Sequence, residues 1–529
     1  MKKKSNLKSI IWDTTKAWPN YPEYYKNIYK QTYLKNYKKY CNWINEIAKN
    51  NQKNINWWLS VPASRDERIS SLFHKICIFL TLKHSKNTSH ELVIITNSRE
   101  LKKKILNEIN LSNIQIKLKS DFNVFKKIWI LFRELILLNV NLIIIKIKSK
   151  NKVTAKLNII DIFEIEEKKN YSFYGNFLKK NFPKKNYTLI PTFLSLSPFK
   201  IYKIFQQKRN LFFKEKEIHF LDILIILKNF LSNSFILKKN FLNYNFNTLI
   251  REEVRIDDNF RSILTAYINY YFFKNLKKKN IKINKVISWF ENQIVDKGWS
   301  LGLNDFYPNV DFIGYQGATL HPQFFNLSLT QTEVEARTVP KKILLIGKKY
   351  LKNRKIYFKK QNYQITKSSR FSFVKTNKKK KYYLFLLSGI KHCDEYLLYL
   401  CKNFVKKFGK KNVFVKYHPI LPSKNFSNTM ANEITGEVSA IIPKSNFVIT
   451  SSYTSGLYES LVYNSYTVMV DCTPLDSLLF KDLKKYSKFI YFCKSTKDLF
   501  KIINSSNIAK LNQFKKHNNK IKRLFFSKN

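Results

Sequence analysis

The strongest constraint on the fold is a regular alternation of short apolar runs and helical patterns in the last third of the chain. Four runs rich in β-branched and aromatic residues predict strands: YYLFLLSGI, NVFVKYHP, SNFVITSS and YTVMVD. Helical patterns lie between them, at 394–408 and in SGLYESLVYN. Parallel strands joined by helices form right-handed crossovers, and helices then cover both faces of the sheet. The sequence therefore predicts an α/β fold with a mostly parallel sheet.

The first part of the chain contains two more strand–helix–strand patterns. A chain of 529 residues is also too long for one core. A new strand-like run, KKILLIGKKY, follows Pro340. We therefore predict two domains, 1–335 and 336–529, with a helical insertion around 200–280 in the first. The patterns that support this division are strand 92–96, helix 99–109 and strand 114–118, then strand 286–290, helix 294–306 and strand 310–315.

The chain is strongly basic, with 96 Lys and Arg against 36 Asp and Glu and a formal net charge of +60. Such a charge usually indicates nucleic acid or an anionic membrane as partner. Here the lysines are spread along the whole chain together with many Asn, Ile, Phe and Tyr, which is typical of a compositional bias. No fingerprint of a DNA- or RNA-binding fold occurs. We expect no specific nucleic-acid partner, but an attraction to anionic lipid head groups.

Three features bear on where the protein works. Six cysteines are scattered without a CxxC pair, which is typical of a reducing compartment. No apolar signal segment follows Met1, and the longest apolar stretches are shorter than a membrane span. The segment FKKIWILFRELILLNVNLI (125–143) is apolar nearly all round, which favours a core helix over an interfacial one. We predict a cytoplasmic protein that is able to rest on the inner face of the membrane.

Several standard motifs are absent from the sequence. It has no GxxxxGK[ST] loop and no GxGxxG, so NTP hydrolysis and dinucleotide redox chemistry lose their usual support. It has no HExxH and no zinc-spaced Cys/His set. An Asp-x-Asp triplet, which would hold a sugar nucleotide through a divalent ion, is missing too. We therefore expect neither a metal ion nor a cofactor.

The histidine in VKYHPILPSKN (415–425) ends a predicted strand. Pro419 keeps the preceding residue extended, so His418 and the nearby Lys416 are presented at the carboxyl edge of the sheet. An imidazole there is able to bind a phosphate oxygen or to protonate a leaving phosphate. Taken alone, a His-Pro pair is more often an ordinary loop, and it occurs again at His321.

A cluster of hydroxyl residues follows about thirty positions later, between a strand and a helix. Backbone amides and side-chain hydroxyls that converge at a helix start suit a phosphate. Glu459 lies one turn inside the helix and is placed to reach ribose hydroxyls. Such clusters are also common as helix caps, and the pairing with His418 is what makes the pattern more specific. The predicted phosphate-binding hydroxyl residues are Ser451, Ser452, Thr454 and Ser455.

These segments resemble the nucleotide-binding half of GT-B glycosyltransferases, especially bacterial capsule and surface-polysaccharide enzymes and their sialyl and glycerophosphate transferase relatives. That family shares a K-x-HP loop and a later S-S/T…E-A-L-x-x-G-x-P-V segment. Lys416, His418 and Pro419 match the loop, and the later segment departs from the pattern at Asn464 and Tyr466. Its matching positions are Thr454, Ser455, Glu459, Leu461 and Val468.

A longer resemblance, to surface carbohydrate biosynthesis proteins, covers most of the chain. Its landmarks are WWLSVPASRDERISSLFHKIC, WFENQIVDKGWSLGL and FIGYQGA. The resemblance implies two Rossmann-like domains that face a cleft. The first domain would bind a glycan or lipid-linked acceptor, and the second a nucleotide-sugar donor, with a CMP- or CDP-linked donor preferred.

A transferase of this kind without a metal needs a base for the acceptor hydroxyl. Glu291 is the first candidate because, with Asn292 and Gln293, it follows a strand at the edge where α/β sheets place ligands. Asp296 is the second, and Asp13 and Glu67 are further ones. Asn292, Gln293 and Gln316 are expected on the acceptor side. Glu291 is equally compatible with a purely structural carboxylate.

Two alternatives remain open from the sequence. One is a non-catalytic basic protein that binds nucleic acid or an anionic membrane. The other is an inactive GT-B scaffold in a polysaccharide assembly.

Overall fold

The computed structural model contains three parallel sheets. It describes residues 9–528 except 86–89, 110–112, 120–123, 149–155, 165–173, 175–176, 179–181, 183–185, 194–196, 207–210, 233, 255–259, 320–323, 372, 374–380, 420, 422–429 and 508–517. Every pairing between its named strands is parallel, which confirms the α/β prediction.

The first unit is a small three-stranded sheet, which the sequence did not predict as a separate layer. Its strands are β1 (Ile10–Asp13), β2 (Leu92–Thr96) and β3 (Ile114–Leu118), in that order across the sheet. Ser98 begins the helix after β2 by accepting a hydrogen bond from the Leu101 amide at 3.0 Å. The helices are α1 (Glu23–Asn50), α2 (Ile55–Trp58), α3 (Val61–Ser64), α4 (Leu72–His84) and α5 (Arg99–Glu108).

The central sheet has six strands in the order β5-β4-β6-β7-β8-β9. The chain reverses direction across the sheet between β4 and β6, which makes it doubly wound. The residue after β6, Phe290, leads into Glu291, so the predicted place of Glu291 beyond a strand end is confirmed. The strands are β4 (Lys156–Glu164), β5 (Thr188–Phe193), β6 (Lys282–Trp289), β7 (Asp311–Gln316), β8 (Lys342–Leu345) and β9 (Asn362–Ile365).

The predicted boundary between 335 and 336 is wrong at the level of the sheets. β8 and β9 extend the central sheet, with Ile313 of β7 opposite Lys342 of β8. Pro340 packs so closely on Gly314 that a Cβ added there would lie 2.8 Å from the proline ring. The crossing to the next sheet therefore comes after Ile365, because β8 finds its partner in β7.

Helices fill the insertion predicted around 200–280 and the segment before it. The longest of the described helices within 200–280, α10, packs along α11 of the central unit. The helices in these regions are α6 (Val124–Lys148), α7 (Pro198–Gln206), α8 (Phe220–Ser232), α9 (Asn247–Val254) and α10 (Phe260–Lys278). The helices that follow in the central unit are α11 (Ile294–Phe306), α12 (Gln331–Glu335) and α13 (Lys348–Arg354).

Helix α6 is not the core helix that its composition suggested. One face packs inward through Leu138 and Leu142, but the opposite face exposes a row of large apolar side chains. Across the described residues, no helix combines the length and the apolar character needed to cross a membrane.

The C-terminal sheet has the order β12-β11-β10-β13-β14-β15. This is the 3-2-1-4-5-6 order of the Rossmann fold, and the central strands β13 and β14 are buried throughout. Its strands are β10 (Tyr382–Leu386), β11 (Val413–Lys416), β12 (Asn432–Glu433), β13 (Ser445–Thr450), β14 (Tyr466–Val470) and β15 (Ile490–Cys493). Its helices are α14 (Lys391–Phe408), α15 (Val438–Ile441), α16 (Gly456–Val462), α17 (Asp476–Lys484), α18 (Thr496–Ser505) and α19 (Asn519–Phe526).

The last helix joins the two large sheets. Phe525 of α19 packs against Tyr458 of α16, with ring centroids 5.0 Å apart, and meets the edge of Tyr350 of α13 at 5.9 Å. One hydrophobic cluster thus continues from the central sheet into the C-terminal sheet, so these two units share a core on that side.

A buried ionic network joins the first unit to the central one. The carboxylate of Glu333, which is 2% exposed, accepts hydrogen bonds from Arg65 at 2.6 Å, Lys297 at 2.7 Å and Asn292 at 2.9 Å. Arg65 belongs to the first unit, whereas the other three residues belong to the central unit. Arg65 and Lys297 are both buried, and both pair with the one carboxylate of Glu333. Their charges are therefore neutralised by that single group.

Candidate functional site

The carboxyl ends of β10, β11 and β13 form the switch point of the C-terminal sheet. Leu386 of β10 pairs with Lys416 on one side and with Thr450 on the other. Since neighbouring strands are about 4.8 Å apart, the ends of β11 and β13 lie about 10 Å apart across β10. Open α/β sheets bind ligands at such a point. The predicted His418 and Ser451–Ser455 segments therefore share one edge of one sheet.

His418 packs against the loop that follows β10. A Cβ added to Gly389 would lie 2.7 Å from Nδ1 of His418, which is too close for a side chain. Gly389 also has a φ of +83°, a backbone conformation that favours glycine. Burial, and then the positive charges of Arg370 and Lys416, lower the pKa of His418 to about 4. The imidazole is therefore neutral at physiological pH and offers one N–H as a donor, whereas a bound anion would favour its protonated form.

The hydroxyl segment is built differently from the predicted phosphate loop. Thr454 uses its own hydroxyl and carbonyl to accept from the Gly456 and Leu457 amides, at 3.2 and 3.3 Å. Ser455 accepts from the next two amides through its carbonyl. Because α16 is so short and its first amides are satisfied within the loop, the backbone is not arranged as an anion cradle. Side chains must therefore provide the contacts to a phosphate at this segment.

Glu459 turns inward from α16 and is almost fully buried. It accepts a hydrogen bond from the Ser455 hydroxyl at 3.1 Å. Burial raises the pKa of Glu459 to about 7, although the charge of Arg370 and the Ser455 hydrogen bond oppose the shift. The carboxyl group is therefore poised between its acid and its ionised form near neutral pH.

Arg370 is the residue at this site that the sequence analysis missed. Its guanidinium lies 6.0 Å from the ring of Trp289, at the end of β6, and 5.4 Å from that of Phe371. The same charge acts on His418 and on Glu459. One exposed arginine on the connection between the two large sheets therefore lies near the end of β6, and its charge acts on residues at both the β11 end and the α16 end of the site.

We call this region the cleft, meaning the meeting of the carboxyl ends of the central and C-terminal sheets at Trp289, Arg370, His418, Tyr453 and Glu459. Its far wall comes from the first unit. Arg68 binds Asp66 through Nε at 2.8 Å and Nη2 at 2.7 Å, and its guanidinium lies 5.0 Å from the ring of Phe324. Phe324 stacks on Tyr453 at 5.3 Å. All three units therefore contribute to the cleft.

Glu291, the first predicted base, is held within this wall. Its carboxylate accepts hydrogen bonds from Arg68 and Trp289, both at 2.9 Å, and from Gln293 at 3.1 Å. A carboxylate with three donors, one of them an ion-pair partner, is poorly suited to take a further proton. The arrangement indicates a structural role, in which Glu291 fixes the Trp289 ring beneath Arg370.

Glu67 is half-buried between the first unit and the C-terminal loop. Tyr453 donates to one carboxylate oxygen at 3.2 Å, and Tyr33 donates to the other. Burial raises the pKa of Glu67 to about 7, with a further contribution from the Asp66 and Asp476 carboxylates. From the sequence, Glu67 ranked behind Glu291 as a candidate base. In the structure, Glu67 lies beside the hydroxyl segment, and its raised pKa is typical of a general base.

The other predicted residues lie behind the cleft or outside it. Asp296 caps α11, with the Glu291 and Gln293 amides both 2.9 Å from its Oδ2, and burial raises its pKa to about 8. Asn292 belongs to the Glu333 network, and Gln316 is buried against Arg354. Asp13 pairs with Lys119 at 3.4 Å. Of the predicted acceptor-side residues, only Gln293 reaches the wall of the cleft. The predicted Ser451 and Ser452 are buried, whereas Thr454 and Ser455 are half-buried.

Comparisons with known proteins complete this description. No protein-family model and no curated protein matches the chain. Solved structures that it is similar to include MurG of Acinetobacter baumannii (9% identity, TM-score 0.38, 69% of this chain and 95% of that one). Another is the spinosyn rhamnosyltransferase SpnG complexed with thymidine diphosphate (7% identity, TM-score 0.38, 70% of this chain and 97% of that one). A third is the UDP-GlcNAc 2-epimerase of Methanocaldococcus jannaschii (10% identity, TM-score 0.34, 66% of this chain and 92% of that one). Glycosyltransferases are thus among its structural neighbours.

Proposed function

We propose that the protein is a glycosyltransferase-like enzyme of surface polysaccharide biosynthesis. It transfers a sugar, or a polyol phosphate, from a nucleotide-activated donor to a glycan or lipid-linked acceptor, without a metal ion or cofactor. A CMP- or CDP-linked donor is preferred. The observation that carries the proposal is the switch point of a Rossmann-like sheet, where Leu386 pairs with both Lys416 and Thr450 and His418 packs against Gly389. Arg370 adds a positive charge that acts on His418 and Glu459.

The donor is assigned to the C-terminal side of the cleft. Arg370 and Lys416 supply the positive charge for the phosphate, and His418 supplies a neutral donor. Guanidinium–phosphate contacts are charge-assisted and geometrically specific. Glu459 is buried beside Ser455, where an ionised carboxylate accepts hydrogen bonds from ribose hydroxyls. In sugar transfer the bond between the sugar and the donor phosphate breaks, and in polyol-phosphate transfer the phosphoanhydride bond breaks. In both cases the nucleotide leaves with the electron pair, and the same cationic groups stabilise the growing charge.

The acceptor is assigned to the side formed by the first unit. Its hydroxyl oxygen forms the new bond to the transferred group, and its proton passes to Glu67. A carboxyl group with a pKa of about 7 is partly ionised at neutral pH and still basic enough to accept a proton. Glu67 replaces Glu291 in this role, because Glu291 is already paired with Arg68.

Nucleotide binding tests the proposal directly. In a thermal-shift series with CMP-, CDP-, UDP- and GDP-activated compounds, we expect one class to raise the melting temperature by several degrees. Arg370→Ala should weaken that binding by about 10- to 100-fold, because a charge-assisted hydrogen bond contributes about 1.5–3 kcal/mol. Arg523→Ala, an exposed arginine on the last helix, serves as the matched control. Failure of every nucleotide to bind would contradict the proposal.

His418→Ala should lower the rate of nucleotide release from the donor by about 10²- to 10³-fold, the usual cost of one donor at a developing negative charge. The melting temperature should stay within a few degrees of the wild type, because the ring lies at the edge of the sheet. His84→Ala, at the exposed end of α4, is the control. Unchanged turnover in His418→Ala would remove this histidine from the mechanism.

A further inference from the structure

Helix α6 exposes a continuous apolar stripe. Its six members follow one another at intervals of three or four residues, so they lie on one helix face. Trp129 is 61% exposed at one end and Ile147 is 72% exposed at the other. The stripe is about 27 Å long at 1.5 Å per residue. Its members are Trp129, Phe132, Ile136, Val140, Ile143 and Ile147.

Two neighbouring helices also expose large apolar side chains. Helix α7 packs against α6 and exposes Phe199 and Tyr202. The start of α10 links α8 to α6, because Phe260 meets Phe230 of α8 at 4.8 Å and Arg261 binds Glu134 of α6 at 2.8 Å. The apolar side chains that α8 exposes are Phe220, Leu221, Leu224, Ile225 and Leu231. Monomeric proteins usually expose such residues singly, and a group of this size indicates an interaction surface.

The exposed charges on the described side chains of these three helices are positive. Among their described side chains, the acidic residues Glu134 and Asp222 are buried, and the exposed ionisable residues include Arg133, Lys146, Lys148 and Lys228. Lys148 lies 5.7 Å from the ring of Tyr202, and Lys203 lies 4.5 Å from that of Phe199. Long cationic side chains beside an apolar stripe are arranged to keep their charged ends in the polar layer while their stems cover apolar surface.

We propose that the faces of α6, α7 and α8 dock on an anionic lipid bilayer. A bilayer of this kind offers acyl chains to the apolar stripe and negative head groups to the lysines. The partner must offer both, because the helices expose apolar and cationic side chains together. A second copy of this surface would bring like charges together, and a nucleic acid would leave the isoleucines and phenylalanines without an apolar partner. This inference deepens the lipid-linked acceptor of the proposed function. Vesicle binding and nucleotide binding are separate measurements, so either can fail alone.

Trp129 provides a specific probe for the test. The chain has eight tryptophans, and the other seven are buried. With the full chain and vesicles of phosphatidylglycerol and phosphatidylcholine, we expect a blue shift of the emission and protection of Trp129 from iodide. Brominated acyl chains should quench it. Vesicles of phosphatidylcholine alone should bind at least tenfold more weakly, and 0.5 M salt should weaken the binding further.

Matched variants separate the stripe from the general charge. The triple variant Phe132→Gln, Ile143→Gln and Ile147→Gln should lower the vesicle partition coefficient at least tenfold without changing the melting temperature. The control triple variant Leu106→Gln, Ile356→Gln and Tyr399→Gln changes exposed apolar residues elsewhere and should bind as the wild type does.

Three results would overturn the inference. The first is no binding to the anionic vesicles. The second is binding that survives the stripe variant while Trp129 stays accessible to iodide, which would reflect net charge alone. The third is a dimer in light scattering that the stripe variant dissociates, which would make a second copy of this chain the partner.

Discussion

Glu67→Gln is expected to abolish most of the turnover, lowering the rate of donor consumption in the presence of acceptor by about 10²- to 10⁴-fold. The substitution keeps the size of the side chain and its hydrogen bonds to Tyr33 and Tyr453 within reach, but it removes the group that accepts the proton. The donor affinity should change little, since Glu67 binds Tyr453 and is not among the groups assigned to the phosphate, which are Arg370, Lys416 and His418. Glu46→Gln, on the exposed face of α1, should leave turnover unchanged.

The pH dependence gives this prediction a second measurement. Because the pKa of Glu67 is raised to about 7, wild-type turnover should rise with pH through an inflection near 7 and then level off. The Gln variant should lack that inflection. A carboxyl group whose pKa is raised by folding destabilises the protein as pH increases from about 4.5 to 7, so the variant should be no less stable than the wild type at pH 8. An unchanged pH profile would rule Glu67 out as the base.

Glu333→Ala is expected to cause the largest loss of stability, about 3–5 kcal/mol in the free energy of unfolding. The cause is the two cations left behind, since Arg65 and Lys297 remain buried without their carboxylate. Urea denaturation measures the effect. Glu335→Ala, an exposed neighbour on the same short helix, should change the free energy of unfolding by less than about 0.5 kcal/mol.

The network should also fail at low pH. Although burial alone would raise it, the charges of Arg65 and Lys297 lower the pKa of Glu333 to about 2. A carboxylate whose pKa is lowered by folding contributes stability that is complete above the unfolded value of about 4.5 and is lost as pH falls towards 2. The wild type should lose this contribution below pH 4.5, whereas the alanine variant has none to lose. Equal acid sensitivity of the two proteins would contradict the assignment.

The alternation of strands and helices was readable from the sequence because each strand and helix carries its own pattern. Strands 92–96 and 114–118 and helix 294–306 have the predicted bounds. The shared edge of His418 and Ser451–Ser455 followed from the same pattern, since parallel strands end at one edge. The place of β8 did not follow, because nothing in KKILLIGKKY specifies β7 as its partner rather than a strand of the next sheet.

The two residues that now lead the mechanism were hidden for different reasons. Arg370 stands in KSSRFSFVKTNKKKK, where the surrounding lysines make it resemble a solvated run, and only contact with Trp289 distinguishes it. Glu67 stands between Asp66 and Arg68, and burial raises its pKa although the hydrogen bonds from Tyr33 and Tyr453 oppose the shift. That burial comes from residues distant in sequence. Conversely, Asp296 was predicted as a candidate base and Asn292 as an acceptor-side residue, but Asp296 caps α11 and Asn292 belongs to a buried network. Solvent exposure and tertiary partners determine whether each of these residues belongs to the site.

The most direct test of the account is the structure of the protein with the nucleotide that gives the largest thermal shift. In that structure we expect a phosphate oxygen within hydrogen-bonding distance of Arg370 and His418, and the ribose beside Glu459. A nucleotide bound elsewhere, with both of these side chains free of phosphate, would contradict it.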